Sequence, residues 1–102
     1  MDRVTWRGEI LPGKIEEYKY RHANIWPEMT EMLNAAGVHN YTIWLSGNEI
    51  FGYYECEDAD YASKVQAESE VSKRWEESMQ GIMRITSDGR GENGLTQVFY
   101  HK

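Results

Sequence analysis

Residues 38–57, VHNYTIWLSGNEIFGYYECE, are the part of the sequence that decides the fold. Residues 38–45 and 49–57 are rich in β-branched and aromatic side chains, which favour strands. Residues 46–48, SGN, separate the two runs, and a short connection that contains glycine is typical of a hairpin. The stretch therefore predicts two neighbouring antiparallel strands.

The residues before this hairpin predict one strand and a broken helix. Residues 4–10 alternate imperfectly between apolar and polar side chains, as a half-buried strand does, and a turn signal follows at Gly13. From Lys14 onwards, apolar residues recur at helical spacing. Pro27 lacks an amide hydrogen and disfavours a helical conformation in the residue before it. We therefore expect a break there and a second helical piece over residues 28–36.

The residues after the hairpin predict a second helical region and a last strand. Residues 58–84 place apolar side chains on one helical stripe, with a break around residues 68–70. A polar, glycine-containing stretch at residues 86–94 predicts a loop, and residues 95–100 have the composition of a strand. The order β-α-β-β-α-β is typical of a ferredoxin-like α+β sandwich, and the length fits one domain over residues 1–102.

The second strand of the hairpin carries apolar side chains on both faces. Phe51 and Tyr53 point to one side of the predicted sheet, and Ile50, Tyr54 and Cys56 point to the other. In a ferredoxin-like sandwich the helices cover only one face of the sheet. We therefore expect a second copy of the chain to cover the other face, giving a homodimer with a dimeric α/β barrel.

The composition excludes several classes of protein. The 102 residues include 11 basic and 17 acidic ones, a net charge of −6, without the basic stripe that nucleic acid requires. No apolar stretch has the length of a signal-peptide core or of a membrane span. Cys56 is the only cysteine, so no disulfide can form within the chain. We expect a cytoplasmic protein that binds neither nucleic acid nor membranes.

The sequence contains no cofactor or metal motif. It has no glycine-rich nucleotide loop, no Cys-x-x-Cys pair and no His-Glu-x-x-His cluster. His22, His39 and His101 fall on three different predicted elements, so a metal site would require a coincidence of tertiary structure. We expect neither a cofactor nor a metal.

The densest group of aromatic and titratable side chains lies at residues 17–28, EYKYRHANIWPE. Tyr18 and His22 are one helical turn apart and therefore face the same way. His22 also precedes the break at Pro27, and the negative end of a helix favours a protonated imidazole. These features suit a proton donor. On spacing alone, the simpler interpretation is favoured, in which the two side chains only tie the helix to the sheet.

Short motifs along nearly the whole chain point to one family. In order, they are EY at 17–18, RH at 21–22, IWPE at 25–28, Gly37, NY at 40–41, RW at 74–75 and VFY at 98–100. A Tyr-x-x-x-His pair followed by Ile-Trp-Pro-Glu is far more specific than a lone histidine. In these motifs and their order, the chain resembles the L-rhamnose mutarotase family.

The resemblance implies a dimeric, ferredoxin-like isomerase that interconverts the α and β anomers of L-rhamnose in carbohydrate metabolism. The family's general acid matches His22, its sugar-binding tyrosines match Tyr18 and Tyr41, and its aromatic contact matches Trp75. The family has a second tryptophan directly after this one, where the chain has Glu76. That departure leaves the choice of sugar more open than the reaction.

Tyr41 and Trp75 also have simpler interpretations. Tyr41 alternates with polar neighbours along its strand and fits ordinary packing, and Trp75 fits the buried stripe of its helix. Without the resemblance, these interpretations would be preferred for both residues.

The implied reaction needs only two proton movements. Mutarotation opens a hemiacetal by protonating the ring oxygen and removing a proton from the anomeric hydroxyl, and then recloses the ring on the other face. We expect the His22 imidazolium to protonate the ring oxygen, Tyr18 and Tyr41 to orient the sugar, and Trp75 to offer a flat apolar surface. The group that accepts the anomeric proton is left open, with Glu76 as one available carboxylate.

Three other functions stay open on the sequence. The first is a mutarotase for L-fucose or another 6-deoxyhexose, because Glu76 alters the sugar contacts. The second is a cofactor-free oxygenase on the same fold. The third is a non-catalytic sugar-binding module, against which the intact pair of Tyr18 and His22 speaks.

Overall fold

The computed structural model describes residues 1–87 and 95–102, and its elements follow the order β1-α1-α2-β2-β3-α3-α4-β4. The strands are β1 (Asp2–Ile10), β2 (Val38–Ser46), β3 (Glu49–Cys56) and β4 (Met83–Ser87). The helices are α1 (Ile15–Ala23), α2 (Pro27–Ala35), α3 (Ala59–Glu68) and α4 (Glu70–Ser78). None of the helices in these ranges is long and apolar enough to cross a membrane.

The strands form an antiparallel sheet in the order β2-β3-β1-β4. The hairpin predicted at residues 38–57 is present, and Gly47 in its turn has a φ of 62°, which glycine adopts without strain. The register of β1 and β3 places Trp6 opposite Gly52. Strand order and element order together confirm the predicted ferredoxin-like α+β fold.

Alternate strand residues pack under the helices in two adjoining clusters. The first cluster joins β1 and β3 to α1 and to the end of α4, and its buried members are Ile10, Tyr18, Ile50, Met79 and Ile82. The second cluster joins β2 and β3 to the ends of α2 and α3, and its buried members are Ala36, Val38, Tyr54, Cys56 and Ala62. The helix-facing side of β3 is therefore the side that carries Ile50, Tyr54 and Cys56.

The other face of the sheet is only partly buried. Phe51 and Tyr53 of β3 are half-buried there, and Trp44, which is paired with Phe51, has 68% of its surface exposed. The Arg7 guanidinium lies 6.0 Å from the centre of the Phe51 ring, and the Tyr53 hydroxyl donates to Glu55 Oε2 at 2.7 Å. Both faces of β3 are apolar, as predicted, and this second face, here called the open face, lacks a cover within the described chain.

Both predicted helix breaks are present. Residues 24–26 separate α1 from α2, and Pro27 is the first residue of α2, where its missing amide hydrogen costs nothing. Ser69 separates α3 from α4, and its hydroxyl oxygen accepts a hydrogen bond from the Ser72 amide. The breaks leave α1 and α4 short enough to place their ends against each other.

The prediction of a last strand at residues 95–100 is wrong. Residues 95–102 form neither helix nor strand, and the fourth strand is Met83–Ser87, although the apolar pattern predicts helix up to residue 84. The helix ends earlier because Gly81, with a φ of 82°, turns the chain towards the sheet, where β4 pairs with the free edge of β1. Most of the predicted loop, residues 88–94, lies outside the described residues.

The sheet is open, with β2 and β4 at its edges. The sequence predicts an α/β barrel formed by two chains, whereas the described chain forms an open sheet, because closing a barrel requires the edge strands to pair.

Candidate active site

Helix α1 brings Tyr18 and His22 together. Their ring centres are 4.3 Å apart, with 30° between the ring planes. Tyr18 is only 6% exposed and belongs to the first core cluster, whereas His22 is half-buried. The predicted convergence of a phenol and an imidazole is therefore present.

Arg21 ties α1 to α4 and so places a tryptophan beside this pair. The Arg21 Nη1 atom donates to the backbone carbonyl of Ser78 at 2.7 Å, and Arg21 Nε pairs with Glu17 Oε1 at 2.8 Å. Helix α4 carries Trp75, whose ring lies edge-on to His22 with the centres 5.5 Å apart. The docking of the two helices is what brings Trp75 to the candidate site.

Trp26 adds a second indole to the site. Its ring centre is 5.1 Å from that of Trp75, and the two ring planes are perpendicular. Trp26 is extended because it precedes Pro27, and that conformation turns its side chain back towards α4. The sequence suggests a mainly structural role for Trp26. In the structure, the two indoles and the His22 ring form one aromatic wall.

The surroundings of His22 favour its neutral form. Burial lowers the pKa of His22 below its ordinary value, and the hydrogen bond to the Tyr18 carbonyl only partly opposes this effect. Burial thus acts against the expected effect of the helix end, which favours a protonated ring. His22 Nδ1 lies 3.1 Å from the Tyr18 carbonyl oxygen, which can only accept, so Nδ1 carries the hydrogen. In the neutral ring, Nε2 is then free to accept a proton.

The Tyr18 hydroxyl is a buried polar group that the protein does not satisfy. Its oxygen has no hydrogen-bond partner among residues 1–87 and 95–102. Burial, and to a smaller degree the neighbouring Tyr41 phenol, raise the pKa of Tyr18 well above its ordinary value. Buried hydroxyls without a partner are rare and costly, so this one is a candidate for contact with a ligand.

Tyr41 approaches the site from strand β2. Its ring centre is 5.1 Å from that of Tyr54, and its hydroxyl oxygen accepts a hydrogen bond from Trp6 Nε1 at 2.8 Å. Burial raises the pKa of Tyr41 to about 12, although the Trp6 hydrogen bond lowers it and Tyr54 adds to the rise. Tyr41 is therefore a neutral phenol, and its ring packs against the second core cluster.

Trp6 is a residue of this region that the sequence argument missed. Alternation along β1 places it on the helix-facing side, where it packs against the first core cluster. Its contact with Tyr41 depends on a strand register that no local pattern encodes. The only signal available in the sequence was a tryptophan among the helix-facing positions of the first strand.

The described residues include no cluster of metal-ligating side chains, and Glu76 on α4 is exposed. Within the described ranges, no group of three or more His, Cys, Asp or Glu side chains could hold a metal. Glu76 follows Trp75 on α4 but is exposed, and no hydrogen bond or ion pair of its side chain is present in that part of the chain. The geometry gives no support to Glu76 as the anomeric base.

Together, these residues can bind an uncharged polar molecule and move a proton. The Tyr18 and Tyr41 phenols offer hydrogen-bond donors, the indoles offer an apolar surface, and His22 offers an acceptor nitrogen. The Tyr18 ring contacts His22 and the His22 ring contacts Trp75, whereas Tyr41 packs against the second core cluster and is linked to Tyr18 only through its effect on the Tyr18 pKa.

The chain is similar to proteins with one shared description. A family model described as L-rhamnose mutarotase matches residues 3–101. An L-rhamnose mutarotase of Oceanobacillus iheyensis is 40% identical over 98% of both chains, and one of Bacillus subtilis is 47% identical over 89% of both chains.

Solved structures agree with the fold. The crystal structure of an L-rhamnose mutarotase from Formosa agariphila superposes with a TM-score of 0.82, at 25% identity and with 100% of both chains covered. A dimeric ferredoxin-like protein from an uncultured marine organism superposes with a TM-score of 0.65 at 14% identity, covering 98% of both chains, which bears on the fold alone.

The unpaired Tyr18 hydroxyl predicts an unusual response to mutation. Tyr18→Phe should raise the free energy of unfolding by about 1 kcal/mol, because it removes a buried oxygen that has no partner. Tyr54→Phe is the matched control, since the Tyr54 hydroxyl accepts a hydrogen bond from Gln66 Nε2 at 3.3 Å, and it should lower that free energy by about 1 kcal/mol. Urea denaturation measures both changes. Equal destabilisation by the two substitutions would contradict the prediction.

Proposed function

The chain belongs to the L-rhamnose mutarotase family, and we propose from this premise that it interconverts the α and β anomers of L-rhamnose as an isomerase. The observation that carries the proposal is the match along nearly the whole chain, at 40% identity over 98% of both chains for one relative. The proposal treats residues 1–102 as one domain, and the predicted cytoplasmic location stays a prediction.

We propose that His22 moves the proton in this reaction. Neutral His22, with its hydrogen on Nδ1, takes the proton of the anomeric hydroxyl at Nε2. As the bond between the anomeric carbon and the ring oxygen breaks and the aldehyde forms, the resulting imidazolium protonates the ring oxygen. Both oxygens are bonded to the same carbon, so one imidazole can serve them in turn. Closure on the other face reverses these steps and returns His22 to its starting form.

Tyr18 and Tyr41 orient the sugar in this proposal. Burial raises the pKa of both phenols, so at neutral pH they stay protonated and act as hydrogen-bond donors to sugar oxygens. Trp75, braced by Trp26, faces the C–H side and the methyl group of a deoxy sugar, which an indole surface contacts well. A positioned acid–base group contributes roughly 10²–10⁴-fold to such a reaction.

The choice of sugar is the less constrained part of the proposal. An exposed Glu76 next to Trp75 favours, as the second candidate, a mutarotase for L-fucose or another 6-deoxyhexose. A sugar-binding module without turnover is the third candidate, and it differs from both because it would bind a deoxy sugar without accelerating anomeric exchange.

We also propose that the protein works as a homodimer through its open face. Trp44 on that face is 68% exposed, and in the C-terminal segment Val98 and Phe99 are 91% and 79% exposed. The segment lies beside the open face, since the Tyr100 ring centre is 4.3 Å from Cζ of Arg3. Apolar surface of this extent at one side of a small protein is typical of an interface between copies.

The proposed reaction predicts a specific loss in a His22 variant. With wild-type protein, NMR saturation transfer between the anomeric protons of L-rhamnose should show accelerated exchange. His22→Ala should lower the exchange rate at least about 100-fold, because it removes the group that moves the proton. His39→Ala is the control, since His39 also lies against a backbone carbonyl, that of Gly37, but is exposed and outside the site.

The same measurement separates the candidates. If the protein accelerates the exchange of L-fucose and not of L-rhamnose, the same mechanism applies and the second candidate is the function. Binding of either sugar without exchange would contradict the mutarotase proposal and favour the binding module.

The lowered pKa of His22 predicts the pH dependence of exchange. If neutral His22 starts the reaction, the enzymatic rate is low in acid, rises as the pH passes the lowered pKa of His22, and is level from about pH 7 to 8. Rates corrected for spontaneous exchange, from pH 4.5 to 8, test this. A rate that falls as the pH rises from 5 to 7 would mean that the imidazolium is the starting form.

The proposed dimer predicts the effect of a charge on the open face. Wild-type protein should sediment with twice the mass of one chain, whereas Trp44→Glu should sediment as a monomer, because the dimer would bury an unpaired carboxylate. Tyr61→Glu on α3 is the control, since Tyr61 is also exposed, on a helix and not on the open face. A wild-type protein that sediments as a monomer at a concentration of about 100 micromolar would contradict the dimer.

A further inference from the structure

The contact between Trp6 and Tyr41 constrains what the Tyr41 hydroxyl can do. Trp6 Nε1 donates to the Tyr41 oxygen at 2.8 Å across 35 residues of sequence. An indole N–H can only donate, so the phenol oxygen is the acceptor in this pair and keeps its own hydrogen. In the described part of the chain, no acceptor for that hydrogen is present. The Tyr41 hydroxyl is thus held as a donor with its hydrogen directed away from Trp6.

Gly52 makes this contact possible. Strand β3 lies between β1, which carries Trp6, and β2, which carries Tyr41, and Gly52 stands directly opposite Trp6 in the register. A Cβ atom at Gly52 would overlap the Cε2, Nε1 and Cζ2 atoms of the Trp6 indole. The absence of a side chain at Gly52 therefore allows the indole to cross β3 and reach Tyr41 on the next strand.

Tyr41 needs such a support because it lies in an irregular part of β2. The pairing of β2 with β3 shifts between His39 and Thr42, and Asn40 within the shift has a φ of 50°. A residue in a bulge is not oriented by the regular ladder alone. The Tyr41 ring packs on Tyr54, and the hydrogen bond from Trp6 fixes the direction of the Tyr41 hydroxyl.

We propose that Trp6 is a positioning residue that acts through Tyr41, holding its hydroxyl as a donor to one oxygen of the sugar. The inference rests on the proposed function, because it assigns Tyr41 to the sugar. The inference goes beyond the proposed function because it assigns roles to Trp6 and to Gly52, whose lack of a side chain makes room for the indole. Because Tyr41 contacts the sugar both before and during ring opening, loss of its direction should act mainly on KM.

A double-mutant cycle with Trp6→Phe and Tyr41→Phe tests this role by NMR exchange kinetics with L-rhamnose. In the wild-type background, Trp6→Phe should lower kcat/KM on the order of tenfold, mainly through a higher KM. In the Tyr41→Phe background, the same change should have less than about a twofold effect, because the hydroxyl that Trp6 directs is gone. Tyr61→Phe, which removes an exposed hydroxyl, should leave exchange unchanged.

A second variant keeps the test possible if Trp6→Phe does not fold. Benzothienylalanine at position 6 keeps the size of the indole and replaces its N–H by sulfur, so it should reproduce the KM effect with an intact core. The indole proton resonance of Trp6 should lie further upfield in Tyr41→Phe than in the wild-type protein. This shift reports the hydrogen bond independently of activity.

The outcomes separate this inference from the proposed function. Equal loss from the Trp6 change in both backgrounds, or full activity with benzothienylalanine, would overturn the role of Trp6 and leave the mutarotase proposal standing. If the wild-type protein does not accelerate exchange, both the role of Trp6 and the mutarotase proposal are overturned. A shift of the Trp6 resonance would then show only that the hydrogen bond is part of the fold.

Discussion

Burial of Tyr18 is the contact on which both the fold and the candidate site depend. Its ring packs α1 against Ile10 and Ile50 of the sheet and against Met79 after α4, and burying a ring of this size contributes about 2–3 kcal/mol. One helical turn later, His22 is thereby held beside the end of α4. The same burial leaves the Tyr18 hydroxyl without a protein partner. The core thus positions a polar atom that packing alone does not use.

The candidate site is uncharged, although the chain carries a net charge of −6. Burial raises the pKa of the Tyr18 and Tyr41 phenols and lowers that of the His22 imidazole, so it favours the neutral form of all three. Such a site suits a neutral sugar, whose hydroxyls need hydrogen bonds and whose ring offers an apolar side. It also requires that charge appears only briefly, when the proton is on His22.

Features with local causes were predictable from the sequence, and features that depend on strand pairing were not. The helix break at Pro27 follows from a missing amide hydrogen, and the contact of Tyr18 with His22 follows from helical spacing. Residues 95–100 have the composition of a strand, but a strand forms only at an edge that accepts it, and β4 pairs with that edge of β1. The position of Trp6 over a glycine depends on a register that composition does not encode.

The most direct test of the account is the state of the His22 ring when sugar is added. Long-range proton–nitrogen NMR spectra at pH 7 distinguish neutral from protonated imidazole and identify the nitrogen that carries the hydrogen, with exposed His39 as an internal reference. The account predicts a neutral His22 with its hydrogen on Nδ1, and an Nε2 resonance that moves with L-rhamnose while His39 does not. A ring already protonated at pH 7, or an Nε2 resonance that does not respond to the sugar, would contradict it.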